Sequence, residues 1–151
     1  MRTVFLDIET DDLDAALIYC VVTYEESVCF KEWIEPDGLA DYLKGAVVVA
    51  HNGLSFDFPV LAKLWDIHLT MDQMRDTLLL SMMENPAREG GHSLKSWGTR
   101  LGYEKVEFND FTALTSEMLE YCRQDVTVCR HLYRFLQNAM LEFSEKSIAD
   151  E

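Results

Sequence analysis

The feature that most restricts the fold of this chain is an unbroken apolar run, Ala46-Val47-Val48-Val49-Ala50. A strand with one solvated face alternates apolar and polar residues, whereas a continuous run indicates a strand that is covered on both faces. Such strands are typical of sheets that carry helices on either side. The run therefore favours an α/β domain over an all-helical or an all-β one.

The segments around this run fit a mixed central β-sheet flanked by helices. Apolar and β-branched runs predict a strand over 2–8 and a hairpin formed by 15–24 and 27–34. A short helix ending near Lys44 is expected before the run. Apolar residues at helical spacing then predict helices over 56–65, 75–83, 93–101 and 116–143, the last with Thr115 as its N-cap. We expect one domain over 1–143 and a flexible polar tail over 144–151.

The composition is strongly acidic. The 151 residues include 27 Asp and Glu against 13 Lys and Arg, which gives a formal net charge of −14. This balance argues against a protein that holds nucleic acid mainly by releasing counterions. It leaves open a nucleic-acid enzyme in which bound cations turn an acidic pocket into a phosphate site.

The sequence shows no signal for a disulfide framework, structural zinc or a membrane. The cysteines form neither a CxxC pair nor a zinc-finger spacing, so reduced and mostly buried thiols are expected at Cys20, Cys29, Cys122 and Cys129. No apolar run approaches the roughly 20 residues that span a bilayer, and acidic residues begin too early for a signal peptide. We expect a cytoplasmic protein, or one in the host cytoplasm if it is encoded by a phage, with no membrane partner.

Three segments carry acidic residues at positions that suit a catalytic site. Asp7 and Glu9 lie two apart at the end of the first strand, so both side chains point to the same face. Asp57 follows the buried strand, where α/β sheets place their sites. Tyr121 and Asp125 lie four apart on the last helix and share one face.

Each segment also has an ordinary interpretation when it is taken alone. The acidic pair could end a strand that enters a solvated loop, and the acid after the buried strand could interact with a helix dipole. Asp125 could pair with Arg123 or Arg130. A calcium loop beginning at Asp7 is excluded, because Asp12 stands where that loop requires glycine.

Taken together, the segments resemble the DEDD (DnaQ-like) superfamily of 3′→5′ exonucleases, in its tyrosine-bearing subgroup. The motifs occur in the order D-x-E, H-N-G-x-x-x-D and Y-x-x-x-D. The likeness is strongest to the proofreading domain of family-A DNA polymerases from short-tailed bacteriophages, and it covers nearly the whole chain. Asp76-Thr77-Leu78 resembles their DTL element, and 92–102 resembles their H-x-L-x-x-W-G-x-R-L-G segment. The second segment is independent support, because it contains no catalytic carboxylate.

The resemblance implies a ribonuclease H-like fold and hydrolysis assisted by two divalent metal ions, Mg²⁺ or Mn²⁺. It implies that Asp7, Glu9, Asp57 and Asp125 bind the metal ions and that Tyr121 orients the attacking water. The expected reaction releases 5′-mononucleotides from the 3′ end of single-stranded DNA or from frayed 3′ ends.

Further residues are expected to contact the terminal nucleotide, namely Thr10, His51, Asn52 and Phe56. Leu13 or Leu17 could, like Phe56, wedge against the terminal base, since stacking tolerates any base. Core packing is the alternative for Phe56. Trp97 is expected in the core, and His92 is expected at the start of a helix.

Two other functions stay open. The first is an RNA-directed exonuclease of the same fold that resembles ribonuclease D, since four carboxylates and a tyrosine do not read the sugar. The second is a non-catalytic nucleic-acid-binding or polymerase-associated module, although such modules typically lose one or more of the carboxylates. The chain is expected either to act alone or to deliver its activity through a separate polymerase partner.

Overall fold

The computed structural model describes residues 1–104 and 107–149, with side chains described as far as Leu141. The strands are β1 (Thr3–Thr10), β2 (Ile18–Glu25), β3 (Cys29–Trp33), β4 (Val47–Ala50) and β5 (Met74–Asp76). The helices are α1 (Leu39–Leu43), α2 (Asp57–Trp65), α3 (Thr77–Glu84), α4 (Leu94–Leu101) and α5 (Ser116–Ala149). Within the described ranges, no helix has the length and apolar character needed to cross a bilayer.

The five strands form one mixed sheet in the order β3-β2-β1-β4-β5. β1 lies in the centre, antiparallel to β2 and parallel to β4, and β5 is parallel to β4. The carboxyl ends of β1, β4 and β5 therefore meet at one edge of the sheet. This is the edge at which α/β sheets place their sites.

Alternate residues of β1 face opposite layers of the domain. Val4, Leu6 and Ile8 pack in the core beneath α1 and α2, whereas Phe5 packs in a second core that includes α5. Because side chains alternate along a strand, Asp7 lies on the same face as Phe5, against α5. The predicted alternation thus carries the acidic end of β1 towards the last helix.

The H-x-L-x-x-W-G-x-R-L-G segment has a structural role in joining α3 and α4. Trp97 is buried, as predicted, and its Nε1 donates to Ser81 Oγ at 2.8 Å. The same hydroxyl lies 2.6 Å from Nδ1 of His92, just before α4 begins. Gly98 permits a close approach, because a Cβ atom there would lie 2.5 Å from the carbonyl oxygen of Tyr103. These contacts explain the histidine, the tryptophan and the first glycine of the motif without a catalytic role.

The predicted first residue of one helix is wrong. The helix predicted over 75–83 begins at Thr77, because Arg75 and Asp76 belong to β5. In β5, Asp76 pairs with Ala50 of the buried strand β4. A three-residue strand shows no periodicity of its own, and its existence depends on that neighbour.

The other predicted elements are present, with a difference at the C-terminus. Thr115 caps α5, since its Oγ1 accepts from the backbone N–H of Met118 at 3.1 Å. α5 continues to Ala149 instead of ending at Phe143, so the predicted tail lies partly within a helix. The last two residues of the tail, 150–151, lie outside the described residues, and the flexibility of the tail stays a prediction.

All four cysteines are free thiols, as expected. Cys20, Cys122 and Cys129 are buried in the core between the sheet and α5. Cys29 is exposed on the edge strand β3, so three of the four thiols are buried, which agrees with the expectation of mostly buried thiols.

Candidate active site

Asp7 and Glu9 leave the end of β1 on the face that α5 covers. Glu9 is buried and Asp7 is half-buried. The thiol of Cys122, on α5, lies 3.3 Å from Asp7 Oδ2 and 3.5 Å from the carbonyl oxygen of Asp7. One ligand atom from each of these three residues lies within 4.8 Å of the other two. The end of β1 and the first turns of α5 thus bring two carboxylates and a thiol together.

Asp57 is placed by a tight loop between β4 and α2. Asn52 has a left-handed backbone with φ of 62°. At Gly53 a Cβ atom would lie 2.8 Å from both Ala50 Cβ and a ring carbon of Phe58, so the loop requires glycine here. Asp57 is the first residue of α2 and is only 3% exposed. Its Oδ2 atom is buried, with no hydrogen-bond partner among the described residues.

Asp125 lies on α5 one turn beyond Tyr121 and is buried. The alternative prediction paired Asp125 with Arg123 or Arg130, and each of these arginines has a glutamate partner in another segment of the chain. Arg123 pairs with Glu32 of β3. Arg130 places its Nε 2.7 Å from Oε1 of Glu26. Both arginines therefore reach glutamates on the hairpin side of the sheet.

The carboxylates act on one another electrostatically. Burial raises the pKa of Asp7 well above its usual range, and the negative charges of Asp125, Glu9 and Asp57 raise it further. The hydrogen bond from the thiol of Cys122 works in the opposite direction. These four carboxylates, Asp7, Glu9, Asp57 and Asp125, are hereafter called the acidic cluster.

The pKa of Asp57 is shifted by the same kinds of effect: burial and neighbouring charges raise it, and hydrogen bonds lower it. Burial raises the pKa of Asp57 to about 8, although backbone N–H groups of Asp57 and Ile8 lower it. The charges of Asp76 and Glu9 also raise it. A buried carboxylate with an unused oxygen is stabilised by a cation. Because carboxylate oxygens are the ligands that Mg²⁺ and Mn²⁺ prefer, the acidic cluster can hold divalent metal ions.

Asp76 supports the loop that carries Asp57, a role that the sequence did not indicate. Its Oδ1 accepts from the backbone N–H groups of Asn52 and Leu78, both at 2.9 Å. Its Oδ2 accepts from the backbone N–H of Leu54 at 3.2 Å. Asp76 therefore caps α3 and fixes the loop after β4 with one buried side chain.

Replacing Asp76 with alanine is expected to lower the free energy of unfolding by about 2–4 kcal/mol. Loss of a helix cap costs about 1 kcal/mol, and each backbone N–H left without a partner costs about 1–3 kcal/mol. Urea denaturation in EDTA measures the change. Asp72→Ala removes an exposed carboxylate from the adjacent turn and should stay within about 0.5 kcal/mol of the wild type. Equal losses in the two variants would contradict the supporting role of Asp76.

Thr10 and Phe56, two of the predicted substrate contacts, open into one cavity beside Glu9. This cavity has a volume of about 330 Å³, and Leu13 and Phe111 also line it. Its wall thus combines a carboxylate and a hydroxyl with apolar side chains. Phe56 is half-buried and also packs against the core beneath α1 and α2, as its alternative interpretation predicted, and its contact with a nucleotide stays a prediction.

His51 and Asn52 lie in the loop after β4 and contact the start of α3 instead. His51 Nδ1 is 2.8 Å from Thr77 Oγ1, and the backbone N–H of Asn52 donates to Asp76. Neither residue, nor Leu17, is among the described residues that line the cavity beside Glu9. Contact between these residues and a nucleotide stays a prediction.

Tyr121 is half-buried beside two phenylalanines that the sequence reasoning missed. The centroid of its ring lies 5.5 Å from that of Phe108 and 6.3 Å from that of Phe111. Tyr121, Phe108 and Lys95 line a second cavity of about 750 Å³. Phe111 contacts Tyr121 and also lines the smaller cavity, so it lies between the two. The sequence feature that could have identified these two phenylalanines is their occurrence as a pair of aromatic residues in the polar segment before Thr115.

The chain is similar in sequence to phage DNA polymerases, although no family model matches it. The DNA-directed DNA polymerase of Escherichia phage T7 is 27% identical over an alignment 177 residues long. That alignment covers 83% of this chain and 25% of the polymerase. The DNA-directed DNA polymerase of Enterobacteria phage T3 is 28% identical over an alignment 134 residues long. That alignment covers 62% of this chain and 19% of the polymerase. This chain therefore spans a quarter or less of the length of these curated relatives.

The fold is similar to that of a solved nuclease structure. Brucella melitensis NrnC with bound Mg²⁺ has a TM-score of 0.73 and 23% identity, over 97% of this chain and 77% of that chain. The predicted likeness to phage DNA polymerases and the predicted ribonuclease H-like fold are thereby confirmed.

Proposed function

We propose that this DnaQ-like domain is a metal-dependent 3′→5′ exonuclease that releases 5′-mononucleotides from the 3′ ends of single-stranded DNA. The observation that carries the proposal is the acidic cluster, in which the carboxylates of Glu9, Asp57 and Asp125, from β1, α2 and α5, lie close enough to Asp7 to raise its pKa. Similarity to two phage DNA polymerases supports DNA as the substrate.

The donor set of the acidic cluster fits the cations of such an enzyme. Asp7, Glu9, Asp57 and Asp125 would hold two ions of Mg²⁺ or Mn²⁺, and the buried Oδ2 of Asp57 fits a metal ligand. When bound, the two ions supply neutralisation of phosphate charge and a lower pKa for the attacking water.

Residues around the acidic cluster would position the substrate and the water. Phe56 and Leu13 form an apolar wall beside Glu9 on which the terminal base can stack. Tyr121 would hydrogen-bond the attacking water while Phe108 and Phe111 hold its ring. A stacking wall accepts any base, so we expect little sequence preference.

The expected products define the polarity of the reaction. A 5′-labelled single-stranded oligonucleotide with Mg²⁺ or Mn²⁺ should shorten stepwise from its 3′ end, and EDTA should stop the reaction. Blunt duplex should be degraded more slowly, because an enzyme with a net charge of −14 has little means to hold a duplex and fray its end. Shortening from the 5′ end, or cleavage of a closed circular single strand, would contradict the proposal.

An RNA-directed exonuclease of the same fold is the alternative function. Four carboxylates and a tyrosine contact the phosphate and the water, not the sugar, so they suit either substrate. Release of deoxynucleoside and ribonucleoside monophosphates from matched oligonucleotides distinguishes the two. A polymerase partner also stays a prediction, and it is supported by the polymerase relatives, of which this chain spans only part.

Millimolar Mn²⁺ or Mg²⁺ is expected to raise the Tm relative to the protein in EDTA. A cation that binds only the folded state adds about 2.7 kcal/mol of stability at a concentration 100 times its Kd. It also relieves repulsion within the acidic cluster. Scanning fluorimetry measures the shift, with KCl at matched ionic strength as the control for screening. A Tm that is equal in metal and in EDTA would argue against a metal site at the acidic cluster.

A further inference from the structure

The cavity of about 750 Å³ at Tyr121 has a wall that carries hydrogen-bond donors. Lys95 and Thr99 lie four apart on α4 and line this wall together, and Asn109 lines it from the segment before α5. Ammonium, hydroxyl and amide groups are common side-chain contacts of phosphate oxygens in nucleic-acid complexes. The described residues that line the cavity include no member of the acidic cluster, so this wall is separate from the proposed metal site.

The charge of Lys95 is available to a ligand. Lys95 is exposed and makes no ion pair among the residues that the structure describes. Five arginines, by contrast, are paired with glutamates, namely Arg2, Arg88, Arg123, Arg130 and Arg134. In a chain with a net charge of −14, an ammonium group without an ion-pair partner beside a cavity is well suited to attract a polyanion.

Phe111 places this cavity next to the one that is proposed to take the terminal base. Phe111 lines the smaller cavity beside Glu9, and its ring centroid lies 6.3 Å from that of Tyr121, which lines the larger cavity. The scissile phosphate joins the terminal nucleotide to the penultimate one. A strand whose last base fills the smaller cavity can therefore continue, beyond the scissile phosphate, past Tyr121 into the larger cavity.

We propose that the larger cavity binds the penultimate nucleotide and that Lys95 contacts the phosphate on the 5′ side of that nucleotide, one linkage before the scissile one. This inference rests on the proposed function, which fixes where the terminal nucleotide lies. Lys95 holds the strand and does not touch the reacting atoms, so it should act on KM and not on kcat. Glu104 and Glu107 also line the cavity, and their charges oppose the strand there.

The test uses two thymidine trinucleotides that differ in one charge. The first has two phosphodiester linkages, and the second has a neutral methylphosphonate in place of the 5′ linkage. The wild type in Mg²⁺ should release the 3′-terminal nucleotide of the first with a kcat/KM roughly three to ten times higher, through KM. Lys95→Gln should lower kcat/KM for the first by the same factor and leave that for the second unchanged. Lys95→Arg should restore the difference.

The two proteins and two substrates form a cycle that measures the coupling between Lys95 and the phosphate. A structural role for Lys95 would lower kcat/KM for both trinucleotides by equal factors. That result, or no effect of Lys95→Gln on either, would overturn the proposal.

Two further variants control for charge. Lys44→Gln changes the net charge equally at an exposed position that lines a different cavity, and it should leave both values near those of the wild type. Glu107→Gln removes an opposing charge from the wall that Lys95 shares, so it should raise kcat/KM for the fully charged trinucleotide. An effect of Lys44→Gln equal to that of Lys95→Gln, or a fall in Glu107→Gln, would overturn the proposal.

A binding measurement without turnover separates this inference from the proposed function. In EDTA, the affinity for a fluorescent single-stranded oligothymidylate is measured by anisotropy at several KCl concentrations. The slope of log affinity against log salt should be shallower by about 0.7 in Lys95→Gln, the share of one phosphate contact in a single strand. An inactive protein whose slope still changes would refute the proposed function alone, whereas an active exonuclease with no coupling would refute only the contact of Lys95. An inactive protein with an unchanged slope would refute both.

Discussion

Replacing Asp57 with asparagine is expected to lower exonuclease activity at saturating Mg²⁺ by roughly a thousandfold or more, while raising the stability of the metal-free protein. A thousandfold loss corresponds to about 4 kcal/mol of transition-state stabilisation, a reasonable cost for a lost metal ligand. Stability should rise because the substitution removes a buried carboxylate whose Oδ2 has no hydrogen-bond partner among the described residues. The two effects have opposite signs, which general damage to the fold would not produce.

The gain in stability should depend on pH with a definite sign. The pKa of Asp57 rises from its usual 3.8 to about 8 in the folded protein, so folding favours its protonated form. The wild type in EDTA should therefore lose stability as the pH rises from near 3.8 to about 8, by at most about 1.4 kcal/mol per pH unit. The substituted amide carries no charge at any pH in this window, so the advantage of Asp57→Asn should widen across it. Urea denaturation at several pH values measures it.

Asp37→Asn is the matched control, because it makes the same chemical change at an exposed position. It should leave activity near that of the wild type and change stability by less than about 0.5 kcal/mol. If Asp57→Asn is inactive but less stable than the wild type at every pH, Asp57 is a structural residue. If it keeps full activity, the acidic cluster is not the catalytic site.

The sequence was sufficient for elements whose signal is local. The apolar run 46–50 predicted a strand covered on both faces. Val48 and Ala50 indeed pack in the core towards α1 and α2, whereas Val47 and Val49 pack in the core towards α5. Each residue of such a strand is apolar because each faces a protein layer. The strand could therefore be predicted from the local sequence alone, without knowing which elements pack against it.

The sequence was insufficient where an element exists only through its neighbour. The three residues of β5 are too few to show an alternating pattern, and α3 follows them at once. The sequence analysis therefore assigned Arg75 and Asp76 to the helix. Asp76 also bonds to Asn52 and Leu54, across the whole of α2. Contacts of this kind depend on how the strands are ordered, which local periodicity does not contain.

At the site, the motifs predicted which carboxylates meet but not what surrounds them. Asp7 and Cys122 are 115 positions apart, and only the packing of α5 on β1 brings the thiol to the carboxylate. Arg123 is a neighbour of Asp125 in the sequence, yet it reaches Glu32 on β3. Distances along a helix were predictable, whereas the choice among partners on different elements was not.

Replacing Tyr121 with phenylalanine is expected to lower turnover by roughly 10- to 1000-fold without affecting the fold. The ring packs against Phe108 at 5.5 Å and Phe111 at 6.3 Å between centroids, and phenylalanine keeps these contacts. All four carboxylates also remain, so the increase in Tm with Mn²⁺ should be unchanged. Misplacing the attacking water alone raises the barrier by about 1.4–4 kcal/mol.

Tyr133→Phe is the matched control for this prediction. Tyr133 is also half-buried on α5, but its ring packs edge-on against Phe5 at 5.8 Å, away from the acidic cluster. The same loss of a hydroxyl there should leave turnover unchanged. Turnover per folded molecule and the free energy of unfolding are measured on each purified variant, in Mg²⁺ and in EDTA.

The two measurements separate a catalytic hydroxyl from a structural one. If the hydroxyl of Tyr121 only stabilises the helix, Tyr121→Phe should be less stable and as active per folded molecule as the wild type. If it orients the water, stability should hold while turnover falls, and binding of single-stranded DNA should stay close to the wild type because the cavities keep their walls. Full turnover in Tyr121→Phe would remove the tyrosine from the mechanism and leave the four carboxylates as the whole of the proposed catalytic site.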